Sequence, residues 1–340
     1  MKRILIVNVN WLGDVLFSTP AIRAIRKKFP ESFIACLVPP RCEALLKNNP
    51  YLNEVILCED RHPFISWFKF IPTVFQLRKR HFDTAIFFHR SRTKVFLAWL
   101  AGIPERIGFQ APGGKRWLTR AVAFPKIKLH KTDIFLKLLE ASGIPSDGRV
   151  PDFVPAAGAA DELSALFYKQ GIDGNSPYVV VHAGGNWDLK RWPAEYFMEW
   201  SRLFRQKFPW KIILCGTDKE EALSDKIAQP FKSGEVVSFC GKTSLDALAL
   251  LLKGARLLVS NDSGPIHLAA SQRTKILGLF GPTSADETGP ISDAPVSIFR
   301  KDVGCEVPCY YRACNYRICM EWLTPGEAFL KAQDLLADSV

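Results

Sequence analysis

The 340-residue sequence holds no apolar run near the ~20 residues that a membrane-spanning helix needs, so a bilayer span is not expected. It has no G-x-G-x-x-G dinucleotide loop and no G-x-x-x-x-G-K phosphate loop. No Asp-x-Asp triplet occurs, which removes the carboxylate pair that commonly holds a divalent ion beside a diphosphate. Zinc-finger, RRM and basic-zipper patterns are missing, which weighs against nucleic acid as the partner. Low-complexity runs and short repeats are missing too, and Met1-Lys2-Arg3 leads straight into an apolar strand without a small-residue cleavage site, so no secretory signal is expected. The first 150 residues are poor in acid: 11 Asp and Glu stand against 25 Lys and Arg, a net charge of +14, whereas residues 151–340 carry 23 against 20, a net −3. A basic half suits an anionic partner, although solubility alone also accommodates it.

What is present describes a soluble globular chain. Hydrophobic residues make up 48% and charged residues 23%, enough to bury real cores, and the length suits two domains. Strand-like segments at 3–9, 33–38, 54–58, 83–88, 178–182, 211–215, 235–239, 256–260 and 275–280 alternate with helical ones. That alternation predicts an α/β protein with parallel sheets covered on both faces. The Pro- and Gly-containing stretch from Ser146 to Ala160 is the expected boundary.

Three strand-to-helix turns stand out. Asn10-Trp11-Leu12-Gly13-Asp14 follows the first strand and precedes a helix from Val15 to Lys28, which puts Gly13 and Asp14 where open α/β sheets bind ligands. Asp14 is read either as a helix cap or as a general base. His182-Ala183-Gly184-Gly185-Asn186 leads into Lys190-Arg191-Trp192-Pro193, where glycines allow close backbone approach and two cations stand nearby. Asn261-Asp262-Ser263-Gly264-Pro265-Ile266-His267 follows a third strand; Asp262 or Ser263 suits an N-cap and Pro265 the first helical turn. Backbone N–H groups and the positive end of a helix there suit a phosphate, while an ordinary capped turn explains the same residues.

Two further segments carry signals. Cys36, Cys42, Cys58, Cys215 and Cys240 lie in or near apolar segments and read as core thiols. Cys305, Cys309, Cys314 and Cys319 form a C-x3-C-x4-C-x4-C cluster, which suits a structural staple: a zinc site or two disulfides, with a spacing unlike paired C-x2-C. Residues 64–80 are aromatic and end in Arg78-Lys79-Arg80, as an interfacial segment on an anionic leaflet would be; Pro72 interrupts them, and a core helix with a basic exposed end fits as well.

From Asn10-Trp11-Leu12-Gly13-Asp14-Val15-Leu16 to Met320-Glu321-Trp322-Leu323-Thr324-Pro325 the chain resembles the ADP-heptose:lipopolysaccharide heptosyltransferases of glycosyltransferase family 9. Lys190-Arg191-Trp192-Pro193, Asn261 to His267 and Gly281-Pro282-Thr283 carry most of the likeness. The resemblance implies an α/β GT-B fold, two Rossmann-like domains with parallel sheets facing across a cleft. Residues 1–155 would bind the acceptor, 156–325 the nucleotide sugar, and a helix over 326–340 would return to the first domain. It implies inverting transfer of L-glycero-D-manno-heptose from ADP-heptose to an inner-core Kdo or heptose of lipopolysaccharide. The enzyme would be cytoplasmic and peripheral to the inner membrane, with no cofactor and no catalytic metal. Asp14 matches the family's base and Lys190 its phosphate-contacting lysine. The donor would meet Gly184, Gly185, Lys190, Glu220, Thr243, Asp262, Ser263, Gly264 and His267, with Glu220 at the ribose and Asp262 at heptose hydroxyls. For the acceptor, Gly13, His89, Arg90, Arg92 and Arg106 are the candidates, with the Gly113-Gly114-Lys115-Arg116 loop beside them. Arginines there suit carboxylates or phosphates. The rival readings are another GT-B nucleotide-sugar enzyme, such as a 2-epimerase, which needs several cleft carboxylates, and a non-catalytic binder of anions.

Overall fold

The computed structural model describes residues 2–59, 67–110, 115–309, 311 and 314–337. The chain divides into two compact units, Met1–Val154 and Pro155–Val340. The division falls inside the expected boundary stretch, whose Asp147 and Asp152 are tied back to Arg23 of the first unit.

The first unit holds β1 (Arg3–Val7), β2 (Phe33–Val38), β3 (Glu54–Leu57), β4 (Thr84–Phe87), β5 (Glu105–Phe109) and β6 (Arg120–Val122). They pair in the order β3-β2-β1-β4-β5-β6, all parallel. The second unit holds β7 (Tyr178–His182), β8 (Lys211–Leu214), β9 (Val236–Ser238), β10 (Leu258–Asn261), β11 (Ile276–Leu279) and β12 (Val296–Phe299). Its order is β12-β11-β10-β7-β8-β9, again all parallel. The central strands are buried on both faces, as parallel strands inside such a sheet are: Tyr178–His182 and Leu258–Asn261 are buried at every position, apolar except for His182, Ser260 and Asn261 at their carboxyl ends.

Both sheets change winding direction beside their first strand, between β1 and β4 in one unit and between β7 and β10 in the other. The carboxyl ends of those strands diverge into loops on either side and leave a crevice. That topology places Asn10 to Asp14 in one crevice and residues 183–190 and 262–267 in the other.

The C-terminal helix, Pro325–Leu336, packs within the second unit. Ala328, Ala332 and Leu336 are fully buried in the second unit's core, with Trp192, Phe197 and Trp200. Thr324 caps it by accepting from Glu327 N. An apolar stripe at helical spacing needs a wall to cover it, and the helix Ala194–Lys207 of its own unit supplies one.

The aromatic segment folds as a helix, Trp67–Arg78, running through Pro72; residues 60–66 lie outside the described part. Thr73 and Leu77 turn inward while Ile71 and Phe75 stay exposed, at 44% and 56%.

Candidate active site

In the second unit, Asn261 ends β10 and braces the crevice. Its amide Nδ2 donates to the carbonyls of Ala183 and Gly184 at 2.8 and 3.0 Å, and its Oδ1 accepts from Trp192 N at 3.0 Å. Trp192 is buried and donates through Nε1 to Leu323 O at 2.7 Å. Trp192-Pro193 is therefore a structural anchor joining the loop to the C-terminal segment. Arg191, read from sequence as an available cation, is also structural: its Nε donates to Gly185 O at 2.9 Å and its Nη1 pairs with Asp188.

Lys190 ends a single 3-10 turn, Asp188–Lys190, and extends its ammonium to 3.1 Å from Asp262 Oδ2. Asp262 is buried at 5% exposure, and a buried carboxylate needs such a partner. Ser263 is the N-cap of the helix Gly264–Ser271, yet its side chain makes no cap bond. Its hydroxyl lies 2.9 Å from His182 Nδ1 instead. Gly264 begins that helix with open space where a Cβ would stand, and His267 is buried one turn in. A cation, a carboxylate and a helix amino end thus meet at the β7–β10 crevice, an arrangement able to take a phosphate group beside a polyhydroxyl group.

Glu220 closes the floor. Its Oε1 accepts from Gly185 N at 2.9 Å, and its Oε2 accepts from Thr217 N at 2.7 Å and from the Thr217 hydroxyl at 3.0 Å. Burial pushes its carboxyl pKa up, but the nearby His182 ring and the hydrogen bonds from Thr217 outweigh it and bring it down to about 2. A Cβ on Gly184 would stand 1.6 Å from Glu220 Oε1, so the first glycine of the Gly-Gly turn exists to admit this carboxylate. Glu220, Gly184, Ala183, Leu214 and Cys215 line a small cavity. Thr243 lies half-buried past β9, two strands from β7 and ahead of the helix Leu245–Gly254, away from the Lys190–Asp262 pair. His182 is a further site residue, which sequence reading left unassigned; it links Ser263 to Glu220, 3.7 Å from its Nε2.

In the first unit, Gly13 and Asp14 occupy the first turn of a helix that begins at Leu12, earlier than the periodicity predicts. Asp14 caps nothing; its Oδ1 is 2.8 Å from Lys131 Nζ. Lys94 Nζ reaches Asn10 Oδ1 at 2.8 Å, and Arg41 donates to Asn10 O at 2.7 Å. His89 and Arg90 follow β4, on the other side of the same crevice; Arg90 packs over Phe124 and donates to Gln110 O, and Arg92 begins the helix Arg92–Leu100, exposed. Arg106 is a correction. It sits near the start of β5, at the amino edge of the sheet, and its guanidinium donates to the carbonyls of Ile103, Pro104 and Trp117. A side chain spent on three backbone carbonyls at the wrong edge is not an acceptor ligand. Of the Gly113-Gly114-Lys115-Arg116 loop, residues 113 and 114 lie outside the described part.

The four clustered cysteines line one cavity with Gly281 and Pro282, and Cys309 N donates to Pro282 O at 2.7 Å. All are free thiols. Among the described residues no group of three or more His, Cys, Asp or Glu is placed to hold a metal ion.

Comparison with known proteins matches residues 73–317 to the family model described as glycosyltransferase family 9 (heptosyltransferase). The lipooligosaccharide heptosyltransferase 2 of Haemophilus influenzae is 25% identical, over 98% of this chain and 99% of its own. The solved structure of the E. coli ADP-heptose LPS heptosyltransferase II superposes with a TM-score of 0.82 at 22% identity, covering 99% of both chains. That of a family 9 glycosyltransferase from Veillonella parvula gives 0.87 at 22%, covering 99% of this chain and 98% of the other. The fold shared with them is GT-B.

Proposed function

Because the chain belongs to glycosyltransferase family 9, the heptosyltransferase family, we propose that it moves L-glycero-D-manno-heptose from ADP-heptose to an inner-core sugar of lipopolysaccharide, Kdo or heptose, with inversion. The observation that carries the reading is the meeting of Lys190, Asp262 and the amino end of the helix Gly264–Ser271 at the β7–β10 crevice.

In this reading the diphosphate lies on that helix end. Lys190 and the N–H groups offset the charge that ADP gains as the glycosidic bond breaks. Asp262 accepts from heptose hydroxyls and His267 donates to the donor. Glu220, a carboxylate with about four acceptor sites, keeps capacity for a ribose hydroxyl beyond the bonds it accepts from the loop. Asp14 takes the proton from the acceptor hydroxyl as that oxygen attacks the anomeric carbon from the face opposite ADP. One displacement inverts the centre. With a cation and a helix end on the diphosphate and no Asp-x-Asp in the chain, the reaction proceeds without a divalent ion. Complete loss of activity in chelator, restored by Mg²⁺, would count against that. The exposed Ile71 and Phe75, with Arg78 and Lys79 after them, suit shallow contact with an anionic leaflet at the cytoplasmic face of the inner membrane; co-sedimentation with anionic but not neutral vesicles tests this.

The deciding experiment is acceptor-dependent release of ADP from ADP-heptose, with a delipidated inner-core acceptor, in wild type and Asp14→Ala. The variant should lose about 10²–10⁴ in kcat while ADP binds as before. A wild type that binds neither ADP nor ADP-heptose overturns the donor assignment.

A further inference from the structure

The first unit contains an ion pair that stability does not explain. Lys131 opens the helix Lys131–Glu140, and its Nζ stands 2.8 Å from Asp14 Oδ1. A cation in the first turn opposes the helix dipole. A solvent-facing lysine–carboxylate pair contributes only about 0–1 kcal/mol. The backbone below is held firmly: the His130 ring accepts from Thr132 N at 3.1 Å and meets Phe17 edge-on with centroids 5.1 Å apart. The Lys131 side chain, 41% exposed, is by contrast able to turn on its long stem. Asp14 sits at the carboxyl edge of β1, where a ligand would approach. Trp11 and Leu12, 69% and 47% exposed, open the same turn and give an apolar face suited to the C–H surface of a sugar ring.

We propose that Lys131 selects acceptors bearing an anionic substituent close to the reacting hydroxyl. The substituent, a carboxylate or a phosphate, takes over the Lys131 ammonium, and Asp14 Oδ1 is released to the hydroxyl. The exchange breaks one ion pair and forms another, with no net transfer of charge. A neutral acceptor leaves Asp14 occupied. The inference rests on the reading of Asp14 as base and deepens it by naming the acceptor's chemistry.

The test is calorimetric binding to the full chain with ADP present, using two matched pairs of probes: a Kdo glycoside against its carboxyl methyl ester, and a phosphorylated heptose glycoside against the unphosphorylated one. At least one acidic probe should bind about tenfold or more tightly than its neutral partner; which pair responds identifies the source of the anion. Lys131→Met should bring that ratio to within about twofold, and Lys131→Arg should keep it. A purely structural lysine would weaken both members of a pair alike. Equal binding of acidic and neutral probes in both pairs overturns the proposal, as does a preference that persists in a folded Lys131→Met or, if that variant does not fold, in Lys131→Gln. Because binding is read without turnover, an Asp14→Ala enzyme that still transfers sugar would remove the base reading and leave the Lys131 result intact.

Discussion

Gly184 and Gly264 show how two glycines in similar turns carry different loads. A Cβ on Gly184 collides with Glu220, while the same addition to Gly264 meets nothing within 4 Å. Gly184→Ala should therefore displace Glu220, lower the melting temperature by several degrees and weaken ADP binding. Gly264→Ala should melt within about a degree or two of wild type, which differential scanning fluorimetry would show directly. Glu220 also makes a prediction in pH. Its folded pKa of about 2 lies below the ordinary 4.5, so its contribution to stability is complete above the unfolded value and fades as pH falls through the range between them. Glu220→Gln should be less stable than wild type near pH 7, and the gap between their melting temperatures should narrow toward pH 3. A gap that stays constant would mean the charge is not what holds the loop. Single residues were also where reading from sequence went furthest and failed most sharply. The placement of Asp14, Lys190 and Asp262 beyond the carboxyl ends of strands was legible, because each comes soon after an apolar strand-like run. Lys131 and His182 were not, because their roles depend on partners 117 and 81 residues away. Arg106 was misassigned because Glu105–Phe109 does not look like a strand, so its edge of the sheet was unknown.

At the scale of elements, the strands that periodicity missed are β5, β6 and β12. Glu-Arg-Ile-Gly-Phe mixes charge and glycine into five residues, Arg-Ala-Val is three residues long, and Val-Ser-Ile-Phe is only half-buried at an edge. Their pairing comes from neighbours already in place rather than from local pattern. The C-terminal helix was legible as a helix, but the wall it packs on was not, since an apolar stripe tells that a wall exists and not which one. Its true position predicts its cost. Leu336 is fully buried against the second unit, so Leu336→Ala should destabilise that unit by about 2–4 kcal/mol. Urea unfolding should show the loss in the second unit's transition, with the first unit's unchanged. The Leu323 carbonyl that holds the Trp192 indole lies just before this helix, so the variant should also loosen the Lys190 turn and raise the ADP dissociation constant.

Across the whole molecule, the same winding appears twice. Each unit starts its central strand, builds outward on one side, crosses back and builds on the other. The alternation of strands and helices made this architecture readable, and the two crevices follow from it without reference to any motif. The charge asymmetry was equally plain, with the acid-poor half forming the unit that carries Asp14. The thiols are divided in a way that has a practical consequence. Cys36, Cys42 and Cys58 are buried in the first unit and Cys215 and Cys240 in the second, while Cys305, Cys309, Cys314 and Cys319 reach solvent in part or fully. Burial, only partly offset by the Asn8 hydrogen bond and the Lys94 charge, pushes the Cys36 thiol up to about 12, which leaves almost no thiolate to react. An alkylating reagent should thus modify Cys305, Cys309 and Cys314 quickly on the native protein, Cys319 more slowly because partial burial pushes its thiol up, and spare the five buried cysteines. Under increasing urea the mass increments become a gauge of which half has opened: three additional adducts report the first unit, two the second. The native fold in this way carries its own set of timers, one per unit, that mass spectrometry can read without any introduced label.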